Sequence, residues 1–350
     1  MIPHLPTFAQ MGPFARRKWV LPICLTLSCT LGLALFTSAQ EANFVTFDPP
    51  GSTGTQVNSI NSAGVITGYY FEGNHSHGFL RSRDGAFTTF DGPDADFTLP
   101  KSINPEGTIT GYYFGASFVQ HGFLRTRDGT FTTFDPPGSS TTGPASINPA
   151  GAITGYYIAA NGALHGFLRA PDGSFTTFDG PGSTFTVPAS INPKGAITGY
   201  YSDTSGVVHG FLRARDGTLT TFDVPGAIST TPASINPMGA ITGSYTDANS
   251  IYPHGFLRAR DGTFETFDAP DATYTGPSSI NAAGAITGVY ADANVVNHGF
   301  LRSPQGAFTT FDTPGSVDTF PTSMNDAGAI VGNYHKANGL EHGFLLFAPN

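Results

Sequence analysis

The stretch TTFDPPGSSTTGPASINPAGAITGYYIAANGALHGFLRAPDGSF, residues 132–175, decides the fold, because the chain contains seven copies of this pattern. The triplet HGF returns every 44 or 45 residues, which is the period of one β-propeller blade. Each copy holds four short segments rich in Ile, Phe, Tyr and Thr, separated by turn signals such as NPAG and PDG. No apolar period of 3.6 residues is sustained over three turns. The repeat therefore predicts an all-β chain.

Four segments in each of seven copies predict a seven-bladed β-propeller with four antiparallel strands per blade. An open solenoid would need polar capping repeats, and the sequence has none. The repeats begin with a lone fourth-type segment at 44–48 and end after a third-type segment at 342–347. We expect the N-terminal strand to complete the C-terminal blade, so that the ring closes without a bare sheet edge. The Asp-Gly pairs in five copies predict tight two-residue hairpins.

The first 39 residues have the pattern of a signal peptide. A basic cluster at 16–18 precedes an apolar run at 19–36, and the small residues Thr37, Ser38 and Ala39 follow it. A membrane anchor is the alternative, but a proline and several hydroxyl residues weaken the run. We expect cleavage after Ala39, a single propeller domain over residues 40–350, and a secreted protein that is extracellular, periplasmic or held at the cell surface.

Removal of the leader changes the charge and the cysteine content. The leader holds three of the 16 basic residues, both cysteines, the single tryptophan and no acidic residue, so the remainder has a formal net charge of −12. This charge disfavours nucleic acid and anionic membranes as partners. Without cysteine the remainder has no disulfide and no thiolate ligand. We expect no membrane span after cleavage, no cofactor and a monomer.

The combination of INxxGxITG with a following HGFLR is similar to the bacterial extracellular HAF repeat, in which an IN-G-(V/I)-(V/T)-G segment precedes a His-Ala-Phe triplet. Here the triplet is His-Gly-Phe in every copy, and the resemblance spans residues 44–350. It implies an exported, propeller-like protein. It implies no activity, because no established activity comes with the family name.

Histidine, aspartate and serine recur together in every repeat, as in a hydrolase triad. Catalysis needs one asymmetric site, whereas seven identical sets suit a hydrogen-bonded network that supports each sheet. We predict a structural network and no catalytic residue. The histidines are His77, His121, His165, His209, His254, His298 and His342, and the aspartates are Asp48, Asp91, Asp135, Asp179, Asp223, Asp268 and Asp312.

Two other groups of residues were weighed as sites. The histidines give one closely spaced pair, His75 with His77, and the acidic loops match no complete calcium pattern, so we predict no metal site. The arginine that ends HGFLR in six copies is expected to pair with acidic residues on a solvated rim. A ring-shaped anion site is the alternative for these arginines.

Variation among the copies points to a ligand, because a specific site must break the repetition. The loop before HGF differs in charge, aromatic content and length, so we expect one variable face with exposed aromatic and polar contacts. Neutral drift of the loops is the alternative. The candidate contacts are Phe71, His75, Phe114, Phe118, Asp247, Tyr252, Asp292, His335 and Lys336.

These features favour a secreted, non-enzymatic binding or scaffolding propeller that presents its variable face to an extracellular glycan or protein. One alternative is a carbohydrate-active hydrolase or lyase that uses Glu72, Asp203, Asp247 or Asp292. The other is a purely structural surface or matrix protein. Binding and product formation with a panel of oligosaccharides would separate the three.

Overall fold

The computed structural model describes residues 44–115 and 118–347, and the predicted signal peptide lies outside them. The described residues form 28 β-strands and no helix, which confirms the all-β prediction. Within the same residues, nothing has the length and hydropathy of a membrane-crossing helix.

Each repeat contributes four strands, named first to fourth by their order in the sheet, and neighbours pair antiparallel. The first strands are β2 (Gly54–Ile60), β6 (Phe97–Ile103), β10 (Ser139–Ile147), β14 (Phe185–Ile191), β18 (Ala227–Ile235), β22 (Tyr274–Ile280) and β26 (Asp318–Met324). The second strands are β3 (Ile66–Glu72), β7 (Ile109–Phe114), β11 (Ile153–Ala159), β15 (Ile197–Ser202), β19 (Ile241–Asp247), β23 (Ile286–Ala291) and β27 (Ile330–His335). The third strands are β4 (His75–Arg81), β8 (Gln120–Arg125), β12 (Leu164–Arg169), β16 (Val208–Arg213), β20 (His254–Arg258), β24 (Asn297–Arg302) and β28 (Glu341–Leu346). The fourth strands are β5 (Phe87–Phe90), β9 (Phe131–Phe134), β13 (Phe175–Phe178), β17 (Leu219–Phe222), β21 (Phe264–Phe267), β25 (Phe308–Phe311) and, for the last repeat, β1 (Phe44–Phe47).

The last repeat takes its fourth strand from the beginning of the repeats. β1 pairs antiparallel with β28, from Phe44 opposite Leu346 to Phe47 opposite Gly343. The sheet order is β1, β28, β27, β26. On the other side, β2 of the first repeat contacts β26, β27 and β28.

The apolar core lies between the sheets of successive repeats. Phe123 on a third strand is fully buried, and it packs with Ile109 and Tyr113 of its own repeat and with Leu80 and Phe90 of the repeat before. The equivalent phenylalanine is fully buried in all seven repeats. Replacing such a residue by alanine costs about 3–5 kcal/mol, so these contacts supply much of the stability of repeats that contain no cysteine.

The glycine of HGF is required by close packing. A Cβ atom added to Gly78 would lie 2.7 Å from the ring of Phe90 on the neighbouring fourth strand. The other six HGF glycines face a fourth-strand phenylalanine at 2.3 to 3.0 Å in the same way. This contact explains why all seven repeats carry glycine at the centre of HGF.

The turns between third and fourth strands differ from the predicted two-residue hairpins. Gly85 has a φ of 96°, whereas Asp84 keeps an ordinary negative φ. The amide of Gly85 donates to the carbonyl of Ser82, and the Ser82 amide donates to the carbonyl of Ala86. The prediction of two-residue hairpins was wrong, because the longer turn closed between Ser82 and Ala86 needs only the glycine in the left-handed region.

One end of the strands carries the turns between the first and second strands, and we call it the turn end. At this end the SIN motif joins neighbouring repeats. Ser59 Oγ accepts a hydrogen bond from the backbone amide of Ile103 in the next repeat, at 3.3 Å. The equivalent bond occurs in all seven repeats, including one from Ile60 to Ser323.

The asparagine of SIN adds a second, buried set of links. Asn104 Nδ2 donates to the carbonyl of Asn148 at 3.3 Å, and its Oδ1 accepts from the backbone of its own turn. Six of the seven asparagines reach the next asparagine carbonyl in this way, and one of these links runs from Asn325 to Asn61. The exception is Asn281, whose Nδ2 instead lies 4.0 Å from the sulfur of Met324. The turn end is therefore a belt of repeated inter-repeat hydrogen bonds.

Candidate functional site

The opposite ends of the strands, here called the loop end, carry the histidine network. In every repeat the histidine Nδ1 lies 2.7 to 2.9 Å from an aspartate oxygen. The same histidine ring packs on the tyrosine opposite it, with ring centroids 5.1 to 5.5 Å apart. The set is the same in all seven repeats, and the structural role of the network stays a prediction.

The serines do not join the histidine network. Ser59 lies opposite Thr67 at the turn end of β3, whereas His77 lies opposite Tyr70 toward the loop end of the same strand. Ser59 Oγ is engaged by the amide of Ile103. The strand length thus separates serine from the His–Asp pair, and the three residue types do not form a triad.

Four of the six repeated arginines are buried and two are partly buried. Among the described residues only Arg302 pairs with an acidic residue, Glu265, so the expectation of a solvated, ion-paired rim was wrong for the other five. The guanidinium of Arg125 lies 4.6 Å from the ring centroid of Phe90, which belongs to the fourth strand of the preceding repeat. All six arginines stack in this way, and burial lowers the pKa of Arg125 despite the charge of Asp128. The arginines hold neighbouring sheets together, because a guanidinium can pack on an aromatic face when it is removed from water.

The predicted loop contacts fall into two groups. Phe118 and Tyr252 are exposed, at 68% and 50%, on loops of the second and fifth repeats. Lys336 Nζ lies 5.9 Å from the ring centroid of Tyr334. The two predicted histidines pair with acidic residues, His75 with Asp96 at 3.4 Å and His335 with Asp318 at 3.7 Å. These residues come from four repeats: His75 from the first, Phe118 from the second, Tyr252 from the fifth, and His335 and Lys336 from the last.

The predicted acidic contacts serve their own turns. Asp247 Oδ1 accepts from the amides of Asn249 and Ser250, and Asp292 Oδ1 accepts from those of Asn294 and Val296. The hydrogen bond from the Val296 amide leads the causes that lower the pKa of Asp292.

Phe71 and Phe114 are the predicted contacts that join a larger aromatic surface. Phe71 packs edge to face on Tyr69 with ring centroids 5.6 Å apart, and Phe114 does the same with Tyr112 at 5.9 Å. Each tyrosine is the first of the GYY pair on a second strand, and the same position holds Tyr156 and Tyr200 in the next two repeats. We call Tyr69, Tyr112, Tyr156, Tyr200, Phe71 and Phe114 the tyrosine surface.

The four tyrosines are partly exposed and lie on the second strands of four successive repeats. Burial raises the pKa of Tyr69 to about 12, and the nearby Glu341 adds to the shift. Burial also raises the pKa of Tyr112, with additions from Tyr156 and Tyr69, and that of Tyr200, with an addition from Tyr156. The phenols stay neutral at physiological pH and can both donate and accept hydrogen bonds.

Glycine on the first strand makes room for one of these rings. Gly143 pairs with Tyr156 across β10 and β11, and a Cβ atom at Gly143 would lie 2.6 Å from Tyr156 Cζ. Gly276 leaves similar space for Tyr274 of the sixth repeat, whose hydroxyl would lie 2.0 Å from an added Cβ. The missing side chains let the tyrosine rings lie across the first strands.

Amide groups complete the polar part of this surface. Gln56 Nε2 donates to Glu341 at 2.5 Å, and Gln56 Oε1 accepts from Asn333 Nδ2 at 3.1 Å. Gln120 Nε2 donates to the carbonyl of Thr142 at 2.9 Å. These amides tie neighbouring repeats together beside the aromatic rings.

Sequence reasoning does not single out the four tyrosines, because a residue that recurs in four copies resembles part of the framework. The sequence does distinguish the two tyrosines of each pair. The second tyrosine of the pair occurs in all seven repeats, whereas the first is replaced by Ser244, Val289 and Asn333 in the last three. The second tyrosine packs in the core on the histidine, and the first points to the other face of the strand, where it is partly exposed.

Among the described residues, no group of three or more His, Cys, Asp or Glu side chains is placed to hold a metal ion.

No protein-family model matches the chain, and no curated protein matches it. Among solved structures, the chain is similar to a streptogramin B lyase, with 16% identity and a TM-score of 0.58 over 89% of this chain and 100% of that one. A virginiamycin B lyase from Staphylococcus aureus gives 14% identity and a TM-score of 0.58 over 87% and 99%. The fold is that of a β-propeller. A prolyl endopeptidase gives 9% identity and a TM-score of 0.61 over 85% of this propeller and 51% of that chain. At these identities the likeness concerns the fold alone.

Proposed function

We propose that the seven four-stranded units are the blades of one closed ring. The pairing of β1 with β28 supports closure, as do the contacts of β2 with the last repeat. The links from Asn325 to the Asn61 carbonyl and from the Val57 amide to Asn333 Oδ1 cross the same junction. A closed ring places the first strands around an axis, with the tyrosine surface at its loop-end opening.

We propose that this propeller is a secreted, non-enzymatic binding module whose ligand is an extracellular glycan. The observation that carries the proposal is the tyrosine surface, which breaks an otherwise sevenfold framework in four adjacent repeats. Aromatic faces stack on the apolar faces of sugar rings, and phenol and amide groups beside them can bond sugar hydroxyls. A structural protein built only for stability would have no need of partly exposed tyrosines at one side.

Export, the HAF-type repeat and a monomeric state belong to the same proposal. The signal-peptide pattern before the repeats supports secretion. Pairing of the terminal strands supports a monomer, since β1 covers β28 and the edge that remains is a strand of only four residues.

The hydrolase or lyase alternative is the weaker one on two grounds. Asp247 and Asp292 are held by the amides of their own turns. Burial raises the pKa of Asp203, but hydrogen bonds led by that of the Val207 amide outweigh it, and the pKa lies below its ordinary value. A carboxyl with a lowered pKa is ionised at neutral pH and is a poor general acid.

The test is calorimetric titration of the purified protein with neutral and acidic oligosaccharides, together with an assay for new reducing ends. We expect saturable binding with about one site per chain and no product. Tyr112→Ala should weaken binding about tenfold or more, as for a central aromatic contact, with little change in melting temperature.

Tyr252→Ala is the matched control, since it removes an exposed tyrosine from a loop outside the tyrosine surface. It should bind as the wild type does. Loss of binding in Tyr252→Ala with normal binding in Tyr112→Ala would place the ligand on the loops and overturn the proposed site. Formation of product by the wild type would overturn the non-enzymatic role.

A further inference from the structure

One lysine lies beside the tyrosine surface. Lys101 is on β6, and its Nζ lies 5.3 Å from the ring centroid of Tyr112. The side chain is partly buried. The two other lysines of the repeats, Lys194 and Lys336, are exposed on a turn and a loop.

Lys101 occupies a β-bulge that every first strand shares. The register between β6 and β7 shifts between Pro100 and Ser102, so Lys101 is the extra residue. A bulge re-aims the side chain of its extra residue away from the regular pairing. The same shift precedes the serine of SIN in all seven repeats.

In the other repeats, the residue at the bulge either makes a hydrogen bond to the next repeat or is alanine. Asn58 Nδ2 donates to the carbonyl of Pro100 at 2.6 Å, and Ser278 and Thr322 donate to carbonyls of the following repeat at 2.9 and 2.8 Å. The remaining three repeats have alanine there. Lys101 makes no such link, so the framework does not account for its presence.

Lys101 also lacks a counter-ion. Among residues 44–115 and 118–347, the one ion pair formed by a lysine or arginine is that of Arg302 with Glu265. Burial lowers the pKa of Lys101, and no acidic group opposes the shift. An ammonium group that is partly dehydrated without an anion destabilises the free protein, and a bound anion would relieve that cost.

We propose that Lys101 binds an acidic group of the ligand, so that the tyrosine surface takes a short oligosaccharide carrying one acidic sugar, as a carboxylate or a sulfate ester. This inference rests on the proposed glycan-binding function. The excess of acidic residues elsewhere repels polyanions, which favours a single anionic group at this position. The neutral phenols of Tyr112 and its neighbours would bond the hydroxyls of the same ligand.

The test compares three probes of one disaccharide backbone: a galactose dimer, the galacturonic acid dimer and the galactose dimer bearing one sulfate. Binding to wild type, Lys101→Met, Lys101→Arg and Lys194→Met is measured by calorimetry, and folding is checked by thermal melting. Lys194→Met removes the same charge from an exposed turn and is the matched control.

We expect the wild type to prefer an acidic probe over the neutral one about tenfold or more, as for a desolvated charge contact. Lys101→Met should abolish that preference, while Lys101→Arg and Lys194→Met should retain it. Comparison of the galacturonic acid dimer with the sulfated galactose dimer shows which acidic group Lys101 binds.

Equal binding of neutral and acidic probes by the wild type would overturn the inference and leave glycan binding intact. So would an acid preference that survives in Lys101→Met. Failure of every probe and of the wider oligosaccharide panel to bind would overturn the proposed function together with the inference.

Discussion

The two ends of the strands follow opposite rules. At the turn end, the serine link occurs in seven repeats and the asparagine link in six, with the same atoms in the same roles. At the loop end, the histidine network repeats, but the loops and the first tyrosine of the pair vary. Residues that are the same in every repeat are those that join the sheets. Residues that differ between repeats are the ones available for binding.

The largest expected effect comes from the junction between the first and last repeats. Deleting 44–48 removes β1, including Phe47, which packs at 6.4 Å on Phe79 and lies 4.8 Å beneath the Arg81 guanidinium. We expect a loss of more than about 5 kcal/mol, since one buried phenylalanine alone is worth about 3–5. The exposed edge of β28 should also cause aggregation.

Denaturant unfolding and size-exclusion chromatography measure this effect. Deleting 40–43 instead is the control, because it leaves β1 in place. A stable monomer after deletion of 44–48 would contradict the closed ring.

The second prediction concerns the asparagine belt. Asn148→Ala removes a buried donor to the Asn192 carbonyl and an acceptor for the Ala152 amide. Leaving buried groups unpaired costs about 1–3 kcal/mol each, so we expect a loss of about 2–4 kcal/mol. Asn281→Ala should cost about 1 kcal/mol less, because its Nδ2 reaches only a sulfur. Urea unfolding of both variants checks the difference, and equal losses would mean that the inter-repeat link contributes nothing.

The smallest expected effect is a pH dependence at the loop end. Burial lowers the pKa of His209, but hydrogen bonds and charges from Asp223 and Asp203 outweigh it and raise the pKa above 6.5. A raised folded-state pKa stabilises the protein fully below the unfolded value and loses that contribution as pH rises through the folded pKa. Asp203 lies 3.5 Å from His209 Nε2, so Asp203→Asn should lower the histidine pKa.

An NMR titration of the histidine ring protons measures this shift, and melting at pH 5 and pH 8 measures its effect on stability. Asp247→Asn is the control, because Asp247 caps its turn similarly and, in the part of the chain that the structure describes, forms no ion pair with a histidine. An unchanged His209 pKa in Asp203→Asn would show that Asp223 alone sets it.

The repeat itself could be predicted from sequence because strand and turn preferences are local. Period, strand number and the terminal fourth-type strand all follow from residues close together in the chain. The buried arginines could not be predicted, since Arg125 meets Phe90 across two repeats and an arginine beside an acidic turn is usually a solvated ion pair.

The amino-acid sequence by itself determined the all-β class, the four strands of each repeat and the positions where the copies differ. Only the tertiary structure decided which of two adjacent tyrosines, Tyr112 or Tyr113, stays partly exposed and which packs in the core. Successive side chains on a strand point to opposite faces, and which face is covered depends on the neighbouring sheet. The sequence shows that Lys101 stands where three other repeats have alanine. Only the structure shows that it lies beside Tyr112 and, among the described residues, has no acidic partner.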